Sequence, residues 1–137
     1  MTKYSRTTET LTLAGAERVA QQASEKATLP VCIVVVDANC EVMFAKTADG
    51  TPPGSFHAAL LKAKGAARSG TPTHLIAEFV KTLPPAIALQ ALSLPDVCAF
   101  QGGVPIKNGM NVIGGVGIAG GSGEQDIEIA THASLLV

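Results

Sequence analysis

Tryptophan is absent from this chain, and four phenylalanines and one tyrosine are the only aromatics among its 137 residues. Any pocket it forms therefore has few ring faces to line it. Charge is scarce as well: Asp, Glu, Lys and Arg make up 15% of the residues, the net charge is −1, and no basic run occurs. That balance leaves out nucleic acid as a partner. No apolar run approaches the ~18 residues a membrane span needs, because Asp37 and Asp126 interrupt the best stretches. Met1 to Thr10 is polar and lacks the apolar core of a signal peptide. The three cysteines, Cys32, Cys40 and Cys98, are odd in number and show no C-x-x-C spacing. They read as reduced, mostly buried thiols, and the expected location is the cytoplasm.

What is abundant is apolar residue and glycine. Hydrophobic residues reach 47%, enough for a real core in a single domain. With so few charges to coat it, part of that apolar surface is expected to be buried between subunits, so the chain is expected to be a homo-oligomer, a dimer or a larger even assembly. The expected division is a flexible segment over 1–10 and one domain over 11–137. Nine of the 14 glycines fall between Gly102 and Gly123, so backbone there must pass close to something.

The patterning predicts helices and short strands in one meander. Thr12 caps a helix to about Lys26 with Ala16, Val19, Ala20 and Ala23 on its apolar stripe. The β-branched run from Val31 to Asp37 suits a strand covered on both faces, paired through a tight turn with Glu41 to Lys46. Thr47 to Gly54 is a loop, and Ser55 starts a helix to about Arg68. Thr71-Pro72 reads as an N-cap followed by proline at the first helical position, opening a helix to Lys81. Leu83-Pro84-Pro85 ends it, and Ala86 to Leu92 reads as a short helical turn packed on the sheet. Asp96 to Gln101 and Met110 to Ala119 supply further strands about a Lys107-Asn108-Gly109 turn. A capping box at Ser122 to Gln125 opens the last helix, with Glu124 and Asp126 favouring its dipole. Strands joined by tight turns and separated by helices predict an α+β fold with an antiparallel sheet.

Two features carry chemistry. Gly120-Gly121-Ser122-Gly123 leading into a helix presents N–H groups and a dipole to an anion, or else only permits a sharp strand-to-helix turn. It is no nucleotide fingerprint, since neither a βαβ unit nor a P-loop lysine accompanies it. Lys62 is ringed by Ala58, Ala59, Ala63 and Ala66, and is either a lysine snorkelling at the core edge or the partner of an acidic ligand group. His57, His74 and His132 do not pair at helical spacing, which removes a zinc site of that kind. His57 and His74 stay as weak candidates for a lone metal ligand. No nucleophile elbow or paired carboxylates appear.

Taken together, Val31–Asp37, Lys62-Ala63, the GGVP motif within Phe100 to Ile106, Gly114–Ala119 and the GGSGEQD run from Gly120 to Asp126 resemble the GlcG/HbpS family, which includes the C-terminal domain of PduO-type corrinoid proteins. The resemblance spans about Leu11 to Val137. It implies a profilin-like fold with a five-stranded antiparallel sheet flanked by helices, and homo-oligomers. It also implies a small-molecule ligand, haem or a corrinoid such as cobalamin, in an accessory metabolic role. The candidate ligand-binding residues are Lys62, Gly102, Gly103, Pro105, Gly120, Gly121, Ser122 and Glu124. Two other readings stand beside it. One is an enzyme, or enzyme accessory, acting on a small hydroxy- or oxo-carboxylate held by Lys62 and the N–H groups near Gly121. The other is a ligand-free oligomeric accessory.

Overall fold

The computed structural model describes residues 2–136, and its elements follow the expected order with two exceptions. Helix α1 (Leu13–Lys26) starts where Thr12 turns its hydroxyl to accept the Gly15 N–H at 3.1 Å. Strands β1 (Cys32–Asp37) and β2 (Val42–Thr47) form the first hairpin. Helix α2 (Ser55–Ser69) lies between Gly54 and Gly70, both in left-handed conformation. Helices α3 (Thr73–Lys81) and α4 (Pro85–Leu92) follow. Strands β3 (Gly103–Asn108) and β4 (Asn111–Ala119) make the second hairpin, and α5 (Gly123–Ala133) closes the chain.

The sheet is antiparallel throughout, in the order β2-β1-β4-β3. Strand β1 is central and buried on both faces, as its unbroken run of Val and Ile predicts. One face carries Ile33, Val35, Val116 and Ile118 against α1 and α5, and the other carries Cys32, Val34 and Val36 against α2.

The sheet has four strands among the described residues, not five. Asp96 to Gln101 does not pair: Asp96 is left-handed at φ 61°, and Cys98 is buried against Gly65 of α2. The outer edge of β3 explains why nothing pairs there. The Ile118 N–H donates to Gly102 O across the hairpin, so alternate residues of β3 turn their N–H outward. Of these, Gly103 donates at 2.9 Å to the Thr73 hydroxyl, and Pro105 has no N–H to donate. Helix α3 caps one position and proline blanks the next.

Two smaller expectations also change. Pro72 is itself the N-cap of α3, with Thr73 the first helical residue. Ala86 to Leu92 belongs to a two-turn helix, α4, that buries none of its residues and does not pack on the sheet.

Candidate functional site

The glycines of the tail show what their backbone passes close to: it is helix α2. A Cβ on Gly103, Gly115 or Gly117 would sit well inside contact distance of the backbone oxygens of Lys62, Ala63 and Ala59 respectively. The alanine stripe of α2 therefore rests on bare strand backbone, without intervening side chains. This close approach sets the position of Lys62, which is only 5% exposed although it carries a charge.

The Lys62 side chain reaches the far end of β4 and the start of α5. Its Nζ donates to the Ile118 carbonyl at 2.8 Å and to Asp126 Oδ2 at 3.2 Å. Asp126 Oδ1 in turn accepts from the Gly121 N–H at 3.0 Å. A buried ion pair of this kind persists because further hydrogen bonds satisfy the remaining polar atoms. Gly102, at φ 119°, leaves the space: a Cβ there would lie 2.8 Å from both Asp126 Cβ and Ile118 O, and 3.2 Å from Lys62 Nζ. An ammonium group has three protons. Two are taken by these acceptors, and the third has no protein acceptor among the described residues.

Beside this pair opens a cleft of about 420 Å³, whose lining includes Lys62, Asp126, Ala77, Lys81, Phe100 and Gln101. Phe100 is 63% exposed at its mouth, and Lys81 bonds to Glu78 at 3.2 Å on the surface of α3. A larger hollow, about 500 Å³, lies near Arg6, Glu9 and Met110, and no buried polar side chain lines it. The unmatched proton at Lys62 makes the smaller cleft the chemical one.

The candidate residues gather only in part. Lys62, Gly102 and Gly121 meet around Asp126, and Gly121 and Gly123 line the cleft. Gly103 and Pro105 are buried in β3, with the space over Gly103 filled by α2. Gly120 makes the turn at φ 128°. The expected capping box is present: Ser122 Oγ accepts from Gln125 N–H at 3.2 Å, and Ser122 N–H donates to Gln125 Oε1 at 2.8 Å. The glycine-rich turn thus spends the N–H groups of Gly121, Ser122 and Gln125 on the chain's own side chains. Glu124 is exposed in the first turn of α5.

The histidines stand apart from the cleft lining. His57 is exposed at the start of α2, its ring edge-on to Phe56 at 5.7 Å. His74 is half-buried at the start of α3, with Nδ1 buried and unpartnered. No group of three or more His, Cys, Asp or Glu side chains that could hold a metal ion exists among the described residues. The three thiols are unpaired, and burial pushes those of Cys40 and Cys98 above the ordinary range, away from the thiolate a metal needs.

The residues that sequence reasoning passed over are Asp126 as the partner of Lys62, Thr73 as the cap of Gly103, and Phe100, Gln101 and Lys81 as cleft wall. Asp126 was legible only as a helix-dipole residue, because 64 positions separate it from Lys62.

Comparison with known proteins gives one consistent result. The family model described as haem degrading protein HbpS-like matches residues 11–134. An uncharacterised 15.0 kDa protein from the dhaT-dhaS intergenic region of Citrobacter freundii is 33% identical over 127 residues, covering 90% of this chain and 89% of that relative. Protein ORFY of Klebsiella pneumoniae superimposes with a TM-score of 0.87 at 30% identity, over 98% of this chain and 94% of the other. PduOC, solved as a complex with haem, superimposes with a TM-score of 0.81 at 29% identity, over 91% and 93% of the two chains. No helix among the described residues is long and apolar enough to cross a membrane.

Proposed function

The chain belongs to the HbpS-like family, and from that membership we propose that it binds a haem-type tetrapyrrole in the cleft beside Lys62 and Asp126. The observation that carries the reading is the cleft's two-sided chemistry. Phe100, Ala77 and Ala99 offer an apolar wall, while Lys81 and the unmatched Lys62 proton offer cationic donors. A haem needs both, a flat apolar contact and partners for two carboxylates, and ~300–1,000 Å³ is the usual range for ligand clefts. The residues fit the ring and its carboxylates. They do not fit the iron, since the cleft lining holds no His, Cys or Met among the described residues. His57 and His74, the metal-ligand candidates of the sequence, do not line the cleft. Haem, when bound, supplies iron redox chemistry; the chain's own part is to bind the carboxylates, orient the ring and exclude water. The three unpaired thiols support a reducing compartment, the cytoplasm.

Titrating the purified protein with hemin tests this. The expected result is a Soret shift saturating at one ligand per chain, weakened in Lys81→Glu. A featureless or non-saturating titration overturns it, and so does saturable binding of cobalamin with none of hemin. His57→Ala and His74→Ala are expected to leave that spectrum unchanged, since neither histidine lines the cleft.

The polar floor of the cleft favours a second reading, a small hydroxy- or oxo-carboxylate whose oxygen accepts the third Lys62 proton. Competition of such acids with hemin separates one shared site from two.

A further inference from the structure

We propose, on the oxo-carboxylate reading of the cleft, that Lys62 and Asp126 form a proton-transfer centre that enolises a short-chain 2-oxo monocarboxylate. Lys62 donates to the carbonyl oxygen, and Asp126 takes a proton from the adjacent carbon. That reading gave a ligand class; the pair's own chemistry gives a reaction and a role to each residue.

The starting observation is that the pair is buried yet unfinished. The side chains of Lys62 and Asp126 are 7% and 4% exposed, and both line the cleft. Lys62 Nζ commits two of its three protons, to Ile118 O and Asp126 Oδ2. A carboxylate has about four acceptor positions. Among the described residues Asp126 uses one on each oxygen, for Lys62 and the Gly121 N–H. An open donor and open acceptor positions therefore sit on atoms 3.2 Å apart in one cleft floor. Gly102 keeps the ground around them clear, since a Cβ there would lie 3.2 Å from Nζ and 2.8 Å from Asp126 Cβ.

Charge sorts the ligand. Lys62 and Asp126 cancel, so the floor offers no net cation to a resting carboxylate. It suits an uncharged oxygen on which negative charge develops only during reaction. A ketone with a C–H on the next carbon is such a group, because it sets an acceptor beside a proton to be removed. The carboxylate of the same molecule goes to the rim, where Lys81 is held by Glu78 in a pair at 3.2 Å with both side chains more than half exposed. An exposed pair of this kind is weak and exchanges partners at little cost. Ala77, Ala99 and Phe100 take the alkyl chain. The step needs no further reactant. The C3–H bond breaks, its proton passes to Asp126, and its electron pair forms the C2=C3 double bond. The carbonyl pair moves to oxygen, where the third Lys62 N–H holds the enolate. Asp126, its proton exchanged with water, returns one to the same carbon. Because Gly121 and Lys62 fix the carboxylate on one side of the ligand, only one of two C3 hydrogens is within its reach.

Proton NMR of 2-oxobutyrate with the full chain in deuterium oxide tests this, with binding read in the same sample by saturation transfer. Saturable binding is expected, with loss of one C3 hydrogen at about 10²-fold or more over buffer, the lower end for a positioned acid or base. Asp126→Asn is expected to bring exchange down to the buffer rate while binding persists. Lys81→Ala is expected to raise KM with kcat little changed, as loss of uniform binding does. Binding without exchange above buffer overturns the proton-transfer role and leaves the oxo-carboxylate reading in place, whereas absence of binding overturns both. Exchange of both C3 hydrogens at one rate, the mark of catalysis by surface amines, overturns the role as well, and so does an Asp126→Asn protein of undiminished rate. Should Asp126→Asn fail to fold, the wild type decides: selectivity for one hydrogen and suppression of exchange by propionate must both be seen, and the lack of either overturns it.

Discussion

The two faces of the sheet are filled by different means. Toward α1 and α5, branched side chains do the filling, with Ile33, Val35, Val116 and Ile118 meeting Val19 and Ile129. Toward α2, backbone does it, with Gly103, Gly115 and Gly117 lying directly under Lys62, Ala63 and Ala59. A face of branched side chains can lose a methyl group and relax. A face where helix backbone lies on strand backbone has no slack for an added atom. The tight face is also the one that holds the site, because the closeness of α2 brings Lys62 Nζ within 2.8 Å of a strand carbonyl. Close packing here is what allows a lysine to be buried and still find partners.

The largest expected effect comes from the ion pair itself. Lys62→Met leaves Asp126 buried without its cation, and urea unfolding is expected to show a loss of about 3–5 kcal/mol. Combining it with Asp126→Leu is expected to recover part of that loss. If Lys62→Met is no worse than a trimmed aliphatic on the other face, the pair does not hold this side together. Next comes Gly117→Ala, whose Cβ would run into the Ala59 carbonyl. Its expected cost is about 3 kcal/mol, at the upper end for overpacking, read from the thermal midpoint, and a variant as stable as wild type would mean α2 can lift freely. On the opposite face, Ile118→Val is expected to cost about 1 kcal/mol, and a cost equal to that of Gly117→Ala would erase the contrast between the faces.

The smallest effect lies outside both. Glu9 accepts from Asn108 and Asn111, and these bonds hold its carboxyl below the usual range. A depressed pKa stabilises above the unfolded value and is lost as pH falls through the folded one. Acidification is therefore expected to release the segment before Leu11 while both faces stay intact. Amide exchange of Leu11, whose N–H donates to Ile113 O at 2.9 Å, as a function of pH measures it, and protection unchanged through the acid range would show that Glu9 ties nothing down.

Much of the fold was legible. Thr12 and the Ser122–Gln125 box mark helix starts by chemistry that acts within three residues. The β1 run could only be a strand covered on both sides. Residues 96–101 misled because the apolar run from Val97 to Phe100 suits a short strand, while the edge that would receive it is closed by Thr73 and Pro105, which lie elsewhere in the sequence. Helix α4 misled differently: its composition says buried, and none of its residues is buried among the described residues. At the site, Lys62 and the Gly120–Ser122 turn were legible as candidates. Their meeting point was not, since Asp126 joins them only through the fold.

The sequence by itself determined the family, the α+β class, the helix caps and the central strand, because propensity, capping and binary pattern act over a few residues. Only the tertiary structure decided that the glycines make room for α2, that Asp126 joins the Gly121 turn to Lys62, and that Lys62 keeps one proton to give. Those outcomes depend on contacts between residues up to 64 positions apart, and no local pattern encodes such a distance.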